Sequence, residues 1–224
     1  MELVTAFSIP IYKFKFADHK RLKDKMMEYL LDPKVFEENT RPQTGLHFTA
    51  PNLNQIDVYK PIVDFMHSNV NLVMNDLGYV PQTQMTGMWA TKQVDNGAHH
   101  RHSHGNSFLA GVYYLHGNIS HVGTTFHFPY NHTHIVPANN GRPLRLAKTF
   151  TTYFEEGTLY IFPAWLEHGT GINRVERTGS ERYILSFNTL PVGMTNHDPF
   201  DRYNYVDVPS SDMVQSRKKT VPGL

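Results

Sequence analysis

The sequence predicts a mostly β protein, an antiparallel sandwich or barrel with helices supplied ahead of it. Three observations carry this. From about residue 83 the chain breaks into short runs rich in β-branched and aromatic residues, punctuated by Gly, Pro and Asn. No helix-length periodic segment interrupts those runs. Ahead of them, Ile56, Tyr59, Val63, Met66, Val70, Val73 and Leu77 recur at steps of 3 and 4 residues, which marks one face of a long helix.

The elements follow in order. Residues 3–16 read as one or two short strands interrupted at Pro10. Residues 18–31 have helix-forming composition and a capping aspartate at Asp18. Residues 32–55 are polar and rich in Pro, Asn and Thr, and read mostly as loop. The striped helix comes next and either starts or kinks at Pro61. Strands are expected at 84–92, 107–115, 124–128, 146–154, 158–162, 169–175 and 181–190. The chain is read as one domain: supporting strands and helices over 1–82, a β core over 83–195 and a polar tail over 196–224 that wraps the surface or frays.

Composition excludes several classes. A net charge of +1 argues against a nucleic-acid partner or attraction to a membrane surface. No apolar run reaches the roughly 20 residues of a membrane helix. The first residues lack the basic and apolar regions of a secretion signal, and there is no cysteine, which together suggest the cytoplasm. Without thiolates, any metal site must use imidazole, carboxylate and water, a donor set that suits iron, zinc, nickel or copper.

Histidine is the anomaly: there are 14, nine of them between His99 and His134. His100, His102 and His104 are two apart, so an extended segment puts them on one face, with His99 and Arg101 on the other. Two imidazoles about 6–7 Å apart along a strand can grip one metal ion, and a solvated His-rich turn is the plain alternative. The string GTLYIFPAWLEHGTGIN places His168 at the end of a short apolar strand, beside the first pair if the sheet closes on itself. In ERYILSFN, Arg182 and Ile184 share a face with Ser186 and Asn188, while Tyr183, Leu185 and Phe187 face a core. An arginine on an inward face needs an anion, either a carboxylate ligand or a protein acid such as Glu155 or Glu156. His127, His132 and His134 form a second cluster, open to a metal, a substrate or a solvated loop.

Together these strings resemble the iron(II)/2-oxoglutarate-dependent oxygenases, of prolyl 4-hydroxylase type, and among them the oxygenases of bacteria and phages. The likeness covers roughly residues 84–190. It implies a double-stranded β-helix, the cupin-like jelly roll, with the N-terminal helices packed on one sheet. It implies iron(II) held by His102, His104 and His168, and 2-oxoglutarate held by Tyr114, Arg182 and Ser186. The activity implied is hydroxylation of a small-molecule or peptide substrate by molecular oxygen, with 2-oxoglutarate decarboxylated to succinate. Arg177 lies nearer the usual interval than Arg182 but outside a strand pattern. One departure stands out: the family pattern has aspartate where this chain has His104, with Asp95 and Glu167 as substitute carboxylates. Trp89, Tyr113 and Phe162 are candidates for the pocket wall. Two rival readings remain: a three-histidine cupin-type dioxygenase without 2-oxoglutarate, and a non-catalytic β-sandwich used for binding or assembly.

Overall fold

A computed structural model describes residues 8–32, 34–37, 40–41, 44–129, 147–194 and 205–206. Two antiparallel sheets make the core. The larger contains β1 (Tyr12–Lys15), β2 (Thr40–Arg41), β3 (Leu46–Phe48), β4 (Thr83–Gln93), β6 (Leu109–His116), β9 (Thr158–Pro163) and β11 (Arg182–Pro191), in the order β1-β9-β6-β11-β4-β3-β2. The smaller contains β5 (His99–His102), β7 (Val122–His127), β8 (Thr149–Tyr153) and β10 (His168–Thr170), in the order β5-β10-β7-β8. This is the expected jelly roll. β12 (Gly193–Met194) and β13 (Tyr205–Val206) form a separate ribbon.

Strand alternation divides the large sheet into two faces. On one face, Leu109, Tyr113 and Leu115 of β6, Leu159 and Ile161 of β9, and Tyr183, Leu185 and Phe187 of β11 form an apolar core. It is closed by α1 (His19–Leu30) and α3 (Lys60–Asp76). The buried residues Met66, Val70 and Val73 of α3 belong to the predicted stripe; Ile62, also buried, lies outside it, beside the half-buried Val63 that the stripe names. Pro61 lies at the start of this helix, where its missing N–H costs nothing. On the other face, Ala110, Val112, Tyr114, Tyr160, Phe162 and Ile184 meet Phe126 of the small sheet.

Three local expectations are corrected. Asp18 precedes α1 but makes no side-chain cap; its carboxylate pairs with Arg21 instead. Residues 32–55 hold α2 (Lys34–Glu37), β2, β3 and a 3-10 turn at Leu53–Gln55, elements too short to carry a periodic signal. The strand expected over 169–175 ends at Thr170, and the chain passes into α4 (Val175–Thr178), closed by Gly179 in the left-handed region at φ 73°. The expectations at residues 130–146, which include His132 and His134, and those on the tail around His197 lie outside the described residues.

Candidate active site

β5 pairs with β10 so that His102 lies directly across from His168. His104 follows β5, and its backbone N–H donates to the Ala164 carbonyl at 2.9 Å, tying it to the turn between β9 and β10. That turn is the FPAWLEH string: Phe162-Pro163 ends β9, Leu166 N–H closes on the Pro163 carbonyl at 2.9 Å, and His168 opens β10. One ring nitrogen from each of His102, His104 and His168 lies within 4.8 Å of the other two. The Nε2 atoms of His104 and His168 are 3.2 Å apart.

The hydrogen bonds decide which nitrogens are available. His102 Nδ1 donates to the His100 carbonyl at 2.8 Å and His168 Nδ1 to the Leu166 carbonyl at 2.9 Å. His104 Nδ1 donates to Asn188 Oδ1 at 2.5 Å. Each acceptor is an oxygen without a hydrogen, so each Nδ1 carries the proton and each Nε2 keeps its lone pair. Burial holds His104 below the ordinary imidazole range and pushes His168 down to about 3, so both stay neutral at pH 7, the form that ligates. His104 therefore stands in the trio where a carboxylate was expected. The substitute carboxylates are elsewhere: Asp95 accepts the Val175 N–H at 2.9 Å, and Glu167 pairs with Arg101 on the exposed side.

His99 departs from the alternation argument. The register between β10 and β5 steps from His168/His102 to Thr170/His99, three residues against two. This bulge turns His99 to the same side as His102, and the two rings stack at 4.1 Å. Gly169 permits the close approach, since a Cβ there would lie 2.6 Å from the His99 carbonyl oxygen. His99 thus lines the pocket with the trio, and burial pushes it down to about 3. No local sequence signal marks a bulge of this kind. Trp89 and Phe162 also line the pocket, whereas Tyr113 lies in the helix-side core and its hydroxyl meets His19 Nδ1 at 2.7 Å.

The inner pocket runs from the histidines between Val112, Thr124, Phe162, Ile184 and Ser186. Arg182 is on the same face of β11 as Ile184 and Ser186. It is 2% exposed, and burial lowers its guanidinium to about 10, so it remains charged at neutral pH. Its Nη1 donates to Gln93 Oε1 at 2.7 Å, while Nε and Nη2 have no partner among the described residues. Glu155 is taken by Lys13 and Lys15, and Glu156 by Lys23, so neither neutralises it. The guanidinium carbon lies 5.6 Å from the Tyr114 ring centre and 5.3 Å from that of Phe154. The Tyr114 hydroxyl is bonded to Thr124 and Thr152 Oγ1 at 3.0 and 2.6 Å. Arg177, on α4, is exposed. A buried cation with two free donors on one edge fits a bidentate carboxylate ligand. Outside the trio opens a wider cavity of about 370 Å³, lined by Phe48, Thr49, Trp89, His99, Ser103 and Asn188.

Residues 87–188 match the family described as "Putative 2OG-Fe(II) oxygenase". No curated protein sequence matches the chain. Among solved structures, the epimerase SnoN in complex with Fe3+, alpha ketoglutarate and nogalamycin RO is 12% identical, with TM-score 0.59, covering 91% of this chain and 92% of its own. HygX from Streptomyces hygroscopicus, with nickel, 2-oxoglutarate and hygromycin B bound, is 12% identical, with TM-score 0.54 over 91% and 89%. A Pseudomonas putida prolyl-4-hydroxylase is 14% identical, with TM-score 0.55 over 83% and 95%. At these identities the structures speak for the shared fold.

Proposed function

We propose that this 2-oxoglutarate/iron(II) oxygenase, identified as one by its family match and by a prolyl 4-hydroxylase-like fold, works through His102, His104 and His168 as iron ligands and through Arg182 as the anchor of 2-oxoglutarate. The carrying observation is Arg182: a buried guanidinium with two donors that find no partner among the described residues, on the pocket-facing side of β11, in the domain that also holds three converging imidazoles. Burying such a charge without an anion is costly, and the far carboxylate of the keto acid removes that cost. Neither the three-histidine enzyme without 2-oxoglutarate nor the binding-only sandwich accounts for both features.

Iron(II), when bound, supplies oxygen activation coupled to decarboxylation of 2-oxoglutarate to succinate. The chain supplies the rest. The Nε2 atoms of His104 and His168 lie 3.2 Å apart, a ring nitrogen of His102 lies within 4.8 Å of the other two ligands, and the Nδ1 bonds hold the three rings. Nε and Nη2 of Arg182 receive the far carboxylate. Ser186 adds a hydroxyl from the same face, and Tyr114 steadies the guanidinium with its ring. Val112, Phe162 and Ile184 keep water from the keto acid. A small-molecule or peptide substrate enters by the outer cavity together with molecular oxygen. Among the described residues no helix is long and apolar enough to cross a membrane. A net charge of +1 supports a partner other than nucleic acid, and the absence of cysteine supports a cytoplasmic setting.

The test is anaerobic loading with iron(II), followed by measurement of succinate formed from 2-oxoglutarate on admitting oxygen. His102→Ala and His168→Ala are expected to lower metal affinity by more than about 100-fold, beyond the usual effect of losing an outer partner. Full iron occupancy in either variant overturns the ligand set. Metal binding without 2-oxoglutarate binding overturns the role of Arg182.

A further inference from the structure

The three imidazoles are not held in the same way. His102 and His168 each donate Nδ1–H to a backbone carbonyl two residues earlier, at His100 and Leu166. Those acceptors belong to the local chain and no substitution removes them. His104 has no such local acceptor. Its Nδ1 reaches the side chain of Asn188, 84 residues away on β11. Asn188 lies in the middle strand of the large sheet, between Gly87 of β4 and Ala110 of β6, so its backbone is fixed on both sides. Trp89 stacks on the His104 ring at 5.9 Å and 27°.

The need for this partner follows from the chemistry at position 104. A carboxylate there would offer lone pairs from either oxygen and has no tautomers. An imidazole has two nitrogens, and only the one without hydrogen can ligate. If Nε2 carried the proton, the nitrogen 3.2 Å from His168 Nε2 would present a hydrogen to the shared point and no ligand. Asn188 Oδ1 accepts and cannot donate, so it selects the tautomer with Nε2 bare. Resting on the reading of the trio as metal ligands, we infer that Asn188 is a positioning residue for the metal centre: its amide oxygen, 2.5 Å from His104 Nδ1, orients His104 and fixes the tautomer that makes a histidine workable there.

The experiment compares metal affinity, by titration of iron(II) or cobalt(II) under nitrogen, in wild type, Asn188→Leu, Asn188→Asp and His104→Ala. Asn188→Leu keeps the volume and loses the acceptor; its dissociation constant should rise about 10–100-fold. The cobalt(II) absorption bands should shift as one imidazole is lost. Asn188→Asp restores an acceptor and should bind within about threefold of wild type, since a carboxylate partner serves a ligating histidine at least as well. In the His104→Ala background, Asn188→Leu should change nothing further, because the group it acts through is gone. That last comparison separates positioning from general support of the fold, which would persist in either background. A dissociation constant for Asn188→Leu within twofold of wild type overturns the inference, as does an equal loss with and without His104. If Asn188→Leu does not fold, Asn188→Asp decides: a loss of 10-fold or more in that variant also overturns it. If wild type binds no metal, or His168→Ala binds it fully, the ligand reading fails first.

Discussion

The two faces of β11 carry different kinds of chemistry on one strand. Tyr183, Leu185 and Phe187 point toward α1 and α3, where they are buried among Met66, Val70 and Leu115. Arg182, Ile184, Ser186 and Asn188 point toward the small sheet. The helix side asks mainly for apolar volume, and the chain supplies it together with partners for the buried Tyr59 and Tyr113 hydroxyls. The other side buries a guanidinium whose two free donors find no partner among the described residues. One face is therefore complete in itself, and the other is the one to which the proposed function assigns the metal and the keto acid. That difference separates residues that hold the fold from residues proposed to hold ligands.

Substitutions on the two faces should break this comparison if it is wrong. The largest effect on stability belongs to Phe187→Ala. Phe187 is fully buried and its ring fills the space over Gly111, where a Cβ would lie 2.3 Å away. Removing it should cost about 3–5 kcal/mol, read as a fall in the urea midpoint. A loss under about 1 kcal/mol would show that this face is not the core. Arg182→Leu should behave in the opposite sense. It removes a buried charge with one hydrogen bond and two orphan donors, so the denaturation midpoint of the ligand-free protein should hold or rise. Affinity for 2-oxoglutarate should fall by about 2–3 kcal/mol, the scale of charge-assisted hydrogen bonds, with metal affinity kept. Equal 2-oxoglutarate binding in wild type and variant would remove Arg182 from the site.

How much of this was legible in the sequence follows the same division. The helix-facing residues announce themselves by local rhythm: Ile62 aside, the α3 stripe and the alternation of Tyr183, Leu185 and Phe187 need no knowledge of the fold. His102, His104 and His168 were readable because two sit at strand spacing and the third ends a distinctive string. His99 was not, since its inward turn depends on a register slip between β5 and β10, strands that are about 70 residues apart in the chain. β3 was hidden by its length of 3 residues, though it brings Phe48 to the outer cavity. Asn188 was visible as a residue on the Arg182 face, but nothing local names His104 as its partner. Short-range pattern gives a side chain its face; only long-range pairing gives it a neighbour.

The smallest expected effect concerns a titratable group on the closed face. His19 of α1 is buried, with Nδ1 2.7 Å from the Tyr113 hydroxyl and Nε2 3.5 Å from Glu156. Lys15 and Lys23 also act on it; burial is the largest influence and lowers its pKa below the ordinary 6.5 despite the Glu156 charge. The folded protein thus keeps this ring neutral where the unfolded chain begins to protonate it. Below about pH 6.5 the unfolded state binds more protons at this residue, so the stability His19 contributes is full above that pH and declines as pH falls through the window down to the lowered folded value. One such group can add a slope of no more than about 1.4 kcal/mol per pH unit. His19→Gln removes the titration while keeping a polar group near Tyr113. Urea midpoints measured from pH 7.5 to pH 5 should fall less steeply in the variant than in wild type. Parallel curves would mean that His19 protonates as readily in the fold as outside it, and that the closed face admits more water than its packing indicates.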